Sequence, residues 1–238
     1  MTRGGRGGGA GGLALLLAAA LLAGCGGGAG ERGTRARALD LVRGVVLDGV
    51  GLAPEPPARP TREGLEALGF AVVVADVELT GRKVAFAALT ENDGRVTYVA
   101  SDRASLVIDG AQVVGTHRLG TDLAGYRSDP GTDPVRRARP LADWPAEVVR
   151  VYRHRDATGR AFSRTAVCRP RVTAAETEVD VYGRALRLAA VEEPCRTPAH
   201  AFVNRYWLEP GTGRIWKSRQ WVSPETGSVG IEVIRPFG

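Results

Sequence analysis

The stretch 104-ASLVIDGAQVVGT-116 holds two short valine-rich runs that meet at Asp109-Gly110. A type I′ turn needs positive φ at both central residues, which Asp and Gly accept, so the stretch reads as a β-hairpin. The same pattern repeats upstream in "FAVVVADVEL" (70–79), "KVAFAALT" (83–90) and "RVTYVAS" (95–101), with Asp93-Gly94 as a second turn of the same kind. Downstream come "EVVRVYRHR" (147–155), "AFSRTAVC" (161–168), "TEVDVYG" (177–183), "ALRLAAV" (185–191), "AFVNRYWLE" (201–209), "RIWKSRQWV" (214–222) and "VGIEVIRP" (229–236), joined at "DATG", "PGTG" and "PETG". Roughly ten short strands at near-regular spacing specify an up-and-down antiparallel sheet that must curl to bury a face. The expected fold is therefore all-β: a large antiparallel meander bent on itself. The run "VAFAAL" (84–89) predicts burial on both faces.

Ahead of the strands, "TRARALDLVRGVVLDGV" (34–50) spaces Leu39, Val42, Val46 and Leu47 as a short amphipathic helix does. The prolines of "GLAPEPPARP" (51–60) then stop regular structure, and Thr61 caps a second short helix, "REGLEAL", ended by Gly69.

The N-terminus sets the compartment. Arg3 and Arg6 precede the apolar run "LALLLAAALLAG", which is too short for a comfortable permanent span and has the form of a secretory signal. It stops at "LAGC", and that tetrapeptide resembles the bacterial lipobox. The resemblance implies cleavage before Cys25, a diacylglyceryl thioether on its sulfur and an acylated amino terminus, with chains such as palmitate. No other cofactor is expected. Several chains exceed the two-signal requirement for stable anchoring, at about 0.8 kcal/mol per buried methylene. Gly26 is not the aspartate typical of inner-membrane retention, which implies the outer membrane. The expected organisation is a signal peptide over 1–24, a flexible tether over 25–33 and one domain over 34–238.

Loss of Arg3 and Arg6 takes the formal charge from +6 to +4, a mild excess with no nucleic-acid stripe. With Lys83 and Lys217 the only lysines, the arginine excess reads as genome composition bias. Once Cys25 is lipidated, Cys168 and Cys195 remain, and an oxidising compartment makes their disulfide the economical reading. A metal site is the alternative, without CxxC spacing or a histidine at ligand spacing to support it.

The sequence has no P-loop, HExxH, G-x-S-x-G or complete G-x-G-x-x-G. Catalysis would have to rest on His117 and Asp122, with Thr116 as a third candidate, without an evident nucleophile or oxyanion site, and a non-enzyme is expected. The simpler reading has Thr116, Thr121 and Asp122 satisfying backbone groups at a strand end, with His117 and Arg118 exposed for partner contact.

"SLVIDGAQVVGTHRLGTDLAG" (105–125) resembles the strand, turn, strand and "T-x-G-L-x-x-D-L" signature of the YjbF/GfcB (YmcC-like) lipoprotein family. Arg118-Leu119-Gly120 departs from the glycine-leucine order of that signature. "FVNRYWLEPGTGRIWKSRQWVSPETGSVGIEVIRPF" (202–237) is similar to the C-terminal strand trio of that family. The resemblance implies a non-catalytic outer-membrane lipoprotein of exopolysaccharide or group 4 capsule production, facing the periplasm, with a LolA/LolB-like bent sheet. Export and assembly proteins would be its partners; no catalytic residue carries over.

Direct contact with an acidic polysaccharide needs aromatic faces and planar donors, which Tyr206, Trp207, Trp216, Arg219, Gln220 and Trp221 supply. Strand parity places Trp216 with Gln220 and Arg219 with Trp221, so one of these faces belongs to the core. The basic turn "PVRRARP" (134–140) is a further contact for an acidic polymer or a solvated loop. A second function stays open: a LolB-like carrier holding an acyl chain or lipoprotein inside the bent sheet.

Overall fold

A computed structural model describes residues 60–129, 131–155 and 158–237. The signal, Cys25, the tether and the helix expected over 34–50 lie outside the described residues.

Thirteen strands form one antiparallel sheet among the described residues. In chain order they are β1 (Val72–Val77), β2 (Arg82–Asn92), β3 (Arg95–Val99), β4 (Ser105–Asp109), β5 (Gln112–His117), β6 (Leu123–Arg127) and β7 (Val148–Arg155). They continue with β8 (Ala161–Cys168), β9 (Arg171–Val181), β10 (Arg184–Arg196), β11 (Ala201–Leu208), β12 (Ile215–Ser223) and β13 (Gly227–Arg235). Two short helices, α1 (Arg62–Glu66) and α2 (Pro134–Arg137), accompany them. The path β5-β4-β3-β2-β1-β13-β12-β11-β10-β8-β7-β6 is a meander whose first and last strands, β1 and β13, pair with each other. Its two ends, β5 and β6, lie side by side, so the bent sheet nearly closes as a barrel.

Alternation builds the wall. Along β7, Val148, Arg150, Tyr152 and His154 are buried and the residues between them are not, the period-2 pattern of a sheet with one packed face. The main core gathers Val73, Ala75, Phe86, Leu106, Tyr152 and Ile231 inside the barrel. A second apolar layer lies outside, where Leu65 of α1 covers Val72, Val74 and Ile234. β1 is thus the strand buried on both faces. In "VAFAAL", by contrast, only Phe86 is fully buried and Leu89 is 53% exposed. Among the described residues, Ala85 is the outward side chain of that run that packs in the outer cluster beside Leu65.

α1 starts where Thr61 accepts a hydrogen bond from the Gly64 N–H, 3.1 Å away. Arg62 then ties it down, donating to the carbonyls of Val181 (2.6 Å) and Ile234 (3.2 Å). The long β9–β10 hairpin reaches across the outside of the sheet to meet it. β10 pairs with β9 up to Glu192 and with β8 from Cys195, and Pro194 stands where the partner on that edge changes.

The two Asx-Gly turns differ. Asp93 and Gly94 both take positive φ, 53° and 75°, as type I′ requires. At the second, Asp109 pairs with Gln112 as a strand residue, leaving Gly110-Ala111 as the loop, with positive φ (62°) at Gly110 alone. That is the II′ pattern, a one-residue shift from the expected turn. Its cause is tertiary: Asp109 is held by Arg136 of α2 at 2.5 Å. Strand β6, which the strand pattern of the sequence passes over, is a further difference: Tyr126 and Leu123 are buried against β7 and the core.

No helix among the described residues is long and apolar enough to cross a membrane.

Candidate functional site

The stretch 113–123 forms the seam of the barrel. Thr116 and Asp122 do the closing: the Leu123 N–H donates to Thr116 Oγ1 (2.8 Å), which donates to Asp122 Oδ1 (3.0 Å). Asp122 also accepts from the N–H groups of Arg118 (2.8 Å) and Leu119 (3.1 Å). Its oxygens are spent on the loop. His117 Nδ1 lies 3.9 Å from Asp122 Oδ2 with the imidazole side chain 68% exposed, a solvent-facing pair beside a loop organiser. Arg118 is likewise exposed, at φ 63°.

At the opposite end, residues 131–147 cross the mouth of the barrel as a plug. Asp133 caps α2 by accepting from the Val135 N–H (3.1 Å), and Val135 is buried against Val191, Tyr206, Leu208 and Ile215. The plug is sewn to two turns: Ala111 N–H donates to the Val135 carbonyl (3.0 Å) and Leu141 N–H to the Pro210 carbonyl (2.9 Å). A Cβ on Gly110 would overlap the Arg136 carbonyl, and one on Gly213 the Arg139 carbonyl, so both turns need glycine for close approach as well as for φ. The "basic turn" is therefore the end of a helix with internal partners. Arg136 and Arg137 share Asp109, and Arg139 donates to the Gly131 carbonyl.

Beneath the plug lies a network that the sequence reading missed. Arg150, with no exposed side-chain surface, bonds Asp133 Oδ2 (2.7 Å), Glu193 Oε1 (2.7 Å), Gln112 Oε1 (2.9 Å) and the Tyr126 hydroxyl. Glu193 Oε2 accepts from Asn204 Nδ2 (2.8 Å) and the Tyr206 hydroxyl (3.0 Å). Burial opposes the Arg150 charge, but Glu193 and its neighbours outweigh it and hold the guanidinium well above its ordinary pKa. Burial likewise raises Tyr126 and Tyr206 well above theirs, so both are neutral donors. The signal was parity: Arg150 shares the inward positions of Val148 and Tyr152, and Glu193 those of Val191 and Cys195. A charge in such a register needs a partner.

The aromatic candidates are divided by the wall. Tyr206, Gln220 and Trp221 face inward, out of reach of a glycan. Tyr206 is fully buried; Gln220 accepts from the Val113 N–H (3.0 Å) and donates to the Ala111 carbonyl (2.7 Å); Trp221 stacks on Phe202 with centroids 4.3 Å apart. Trp216 packs with Val179, Val181 and Leu188 of the β9–β10 hairpin and donates to Glu209 Oε1 (2.7 Å). Trp207 lies beside it, half-buried, under Lys217, and Arg219 pairs with Glu78 at 3.0 Å. The expected parity of Trp216 with Gln220, and of Arg219 with Trp221, is overridden. The β11–β12 register shifts between Trp207 and Leu208, and the Trp221 N–H bonds the Asn204 side chain (2.8 Å) in place of a backbone carbonyl, so Trp221 turns inward beside Gln220.

Cys168 and Cys195 face each other across the short β8–β10 pairing as a disulfide, their Cα atoms 4.0 Å apart. With Glu193 they make the only metal-ligand-like group found among the described residues, but the sulfurs are joined and both Glu193 oxygens are taken.

Between plug and core an apolar cavity of about 300 Å³ opens to solvent, walled by Val73, Val96, Tyr98, Ile108, Ile231 and Val233. Burial pushes the Tyr98 hydroxyl up to about 12.

A family profile described as "Group 4 capsule polysaccharide lipoprotein gfcB, YjbF" matches residues 40–234. The crystal structure of the hypothetical lipoprotein YmcC from Escherichia coli K12 superposes with a TM-score of 0.66 at 16% identity, covering 84% of this chain and 96% of that one. An exported protein with a YmcC-like fold from Bacteroides fragilis matches with a TM-score of 0.31 at 11% identity, over 69% of this chain and 93% of that one. No curated protein matches the chain in sequence.

Proposed function

The chain belongs to the YjbF family of group 4 capsule polysaccharide lipoproteins, and from that membership we propose that it supports the assembly or export of a surface polysaccharide without catalysing a reaction. The family match across residues 40–234 carries this reading. The protein is held at the outer membrane through lipidated Cys25 and faces the periplasm. There it works through contacts with export and assembly proteins and with acidic polysaccharide.

The chemistry of the seam supports a non-catalytic role. A general base needs its orienting carboxylate free to hold the imidazole, whereas Asp122 is occupied by three donors from its own loop. His117, Arg118, Trp207 and Arg219 keep solvent-facing atoms, and we assign partner or glycan contact to them. The carrier reading is favoured by one observation, the apolar cavity under the plug.

The test is surface polysaccharide in a clean deletion strain, complemented by the wild-type gene or by Cys25→Ser. Loss of polymer restored by wild type and not by Cys25→Ser is expected. Unchanged polymer in the deletion overturns the assignment, and full rescue by Cys25→Ser overturns the anchor.

A further inference from the structure

Native interiors are packed to a density of about 0.75 with few voids larger than a water molecule. The space under the plug, about 300 Å³, falls instead at the lower end of the range of small-molecule pockets. Its walls are inward positions of β1, β3, β4 and β13; β3 and β4 pair without interruption, and the β1–β13 register shifts between Val72 and Val73, beside the cavity. The polar atoms of the wall are few. Ser218 Oγ accepts from Gln220 Nε2 at 2.9 Å. Tyr98 is 5% exposed, and no protein group among the described residues bonds its hydroxyl.

The mouth has the opposite character. Arg214 and Lys217 line it, and Arg95, Asp109 and Arg137 adjoin the lining residues Gly94, Gly110 and Ala138 in the chain, Asp109 being shared by Arg136 (2.5 Å), Arg137 (3.5 Å) and Arg95 (3.7 Å). Arg214 stands on the other lip, 5.8 Å from the Trp216 ring centroid, with Glu209 offsetting part of its charge. Half-exposed Phe237 completes the lip with an apolar face. An apolar body with a cationic rim excludes a sugar as the buried ligand, because its hydroxyls would lie against Val and Ile without partners.

We propose that this cavity binds one acyl chain of an anionic lipid, with the chain between Val96, Ile108 and Ile231 and the headgroup at Arg95, Arg137 and Arg214. The assignment deepens the carrier reading by naming the residues that hold the chain and the anionic headgroup, and rests on the proposed function only for the membrane setting. Failure of lipid uptake would leave the polysaccharide phenotype standing, and the reverse.

The experiment titrates the mature chain, as Cys25→Ser, with cis-parinaric acid. Saturable uptake at one probe per chain is expected. Val96→Trp, which fills the space, should weaken it at least tenfold while the melting temperature holds or rises; should that variant fail to fold, Ile231→Phe is read in its place. Arg137→Glu with Arg214→Glu should weaken the acid about tenfold and leave its methyl ester unaffected. Competition by dodecanoate and by phosphatidylglycerol vesicles separates a free fatty acid from a phospholipid chain as the natural source. Three outcomes overturn the proposal: no saturable uptake, uptake by both filled variants equal to wild type, or uptake that appears only when Leu39 and Val46 become aspartate. The last would make the chain's own segment the occupant.

Discussion

Asp133 and Arg150 meet with both side chains wholly out of solvent, Oδ2 to Nη1 at 2.7 Å, and in doing so join the plug to the wall of the barrel. The same carboxylate caps α2, so one residue fixes the start of the helix and its depth in the mouth. Breaking a buried pair from one side strands the other charge, so Asp133→Ala should cost about 3–5 kcal/mol. Asp133→Asn keeps the cap acceptor and leaves Arg150 with Glu193, and should cost roughly 1 kcal/mol. Urea denaturation of the two variants checks the order; equal losses would mean that the charge of Asp133 carries the whole effect and its cap none.

Gly213 and Gly183 both sit at positive φ, 71° and 84°, but only Gly213 is crowded, against the Arg139 carbonyl. Gly183→Ala should therefore cost about 1 kcal/mol, the left-handed penalty alone. Gly213→Ala should cost about 2–3 kcal/mol, because backbone on the plug must also move. Thermal melts of the pair decide; a milder effect at Gly213 would contradict the close approach.

His154 links stability to pH. Its Nε2 lies 2.7 Å from the Val222 carbonyl, which can only accept, so that nitrogen carries the proton, and Nδ1 faces Arg164 at 3.3 Å. Burial first, then Arg164, lowers its pKa below 6.5, against the raising effect of the Val222 carbonyl. A neutral native imidazole that charges on unfolding makes the unfolded state bind more protons in that window. Stability is therefore full above about pH 6.5 and falls as the pH drops toward the folded pKa. His154→Gln, which keeps a donor for Val222, should flatten the loss between pH 7 and 5; an unchanged slope would assign it to other groups.

The Cys168–Cys195 bridge closes a 27-residue separation where only two residue pairs join β8 to β10. The chain-entropy model gives it roughly 3–4 kcal/mol. The double serine variant should unfold at correspondingly lower urea, and the oxidised chain should show no free thiol at these positions by alkylation and mass.

Much of the wall was legible because its signals are local. "AFSRTAVC" becomes β8 as read, "AFVNRYWLE" becomes β11 one residue shorter, and Asp93-Gly94 makes the turn its φ preferences specify. β6 was not legible: "LAGYR" holds little apolar alternation, and Tyr126 is recruited by Asp133 and Tyr152 from other elements. The aromatic candidates were found as residues but not as a surface, because a register shift and the Asn204 side chain turned Trp216 and Trp221 away from simple parity.

The sequence alone determined an antiparallel all-β chain with glycine-dependent turns, since period-2 burial and turn dihedrals depend on neighbours within a few residues. Only the tertiary structure decided that β5 and β6 meet at Thr116 and Asp122, that Arg150 is a core residue, and that a basic loop is a plug over an apolar cavity. Those outcomes depend on partners that lie tens of residues apart, such as Asp109 with Arg136 and Arg150 with Glu193. A buried charge is stable only where such a partner arrives, and no local pattern specifies its arrival.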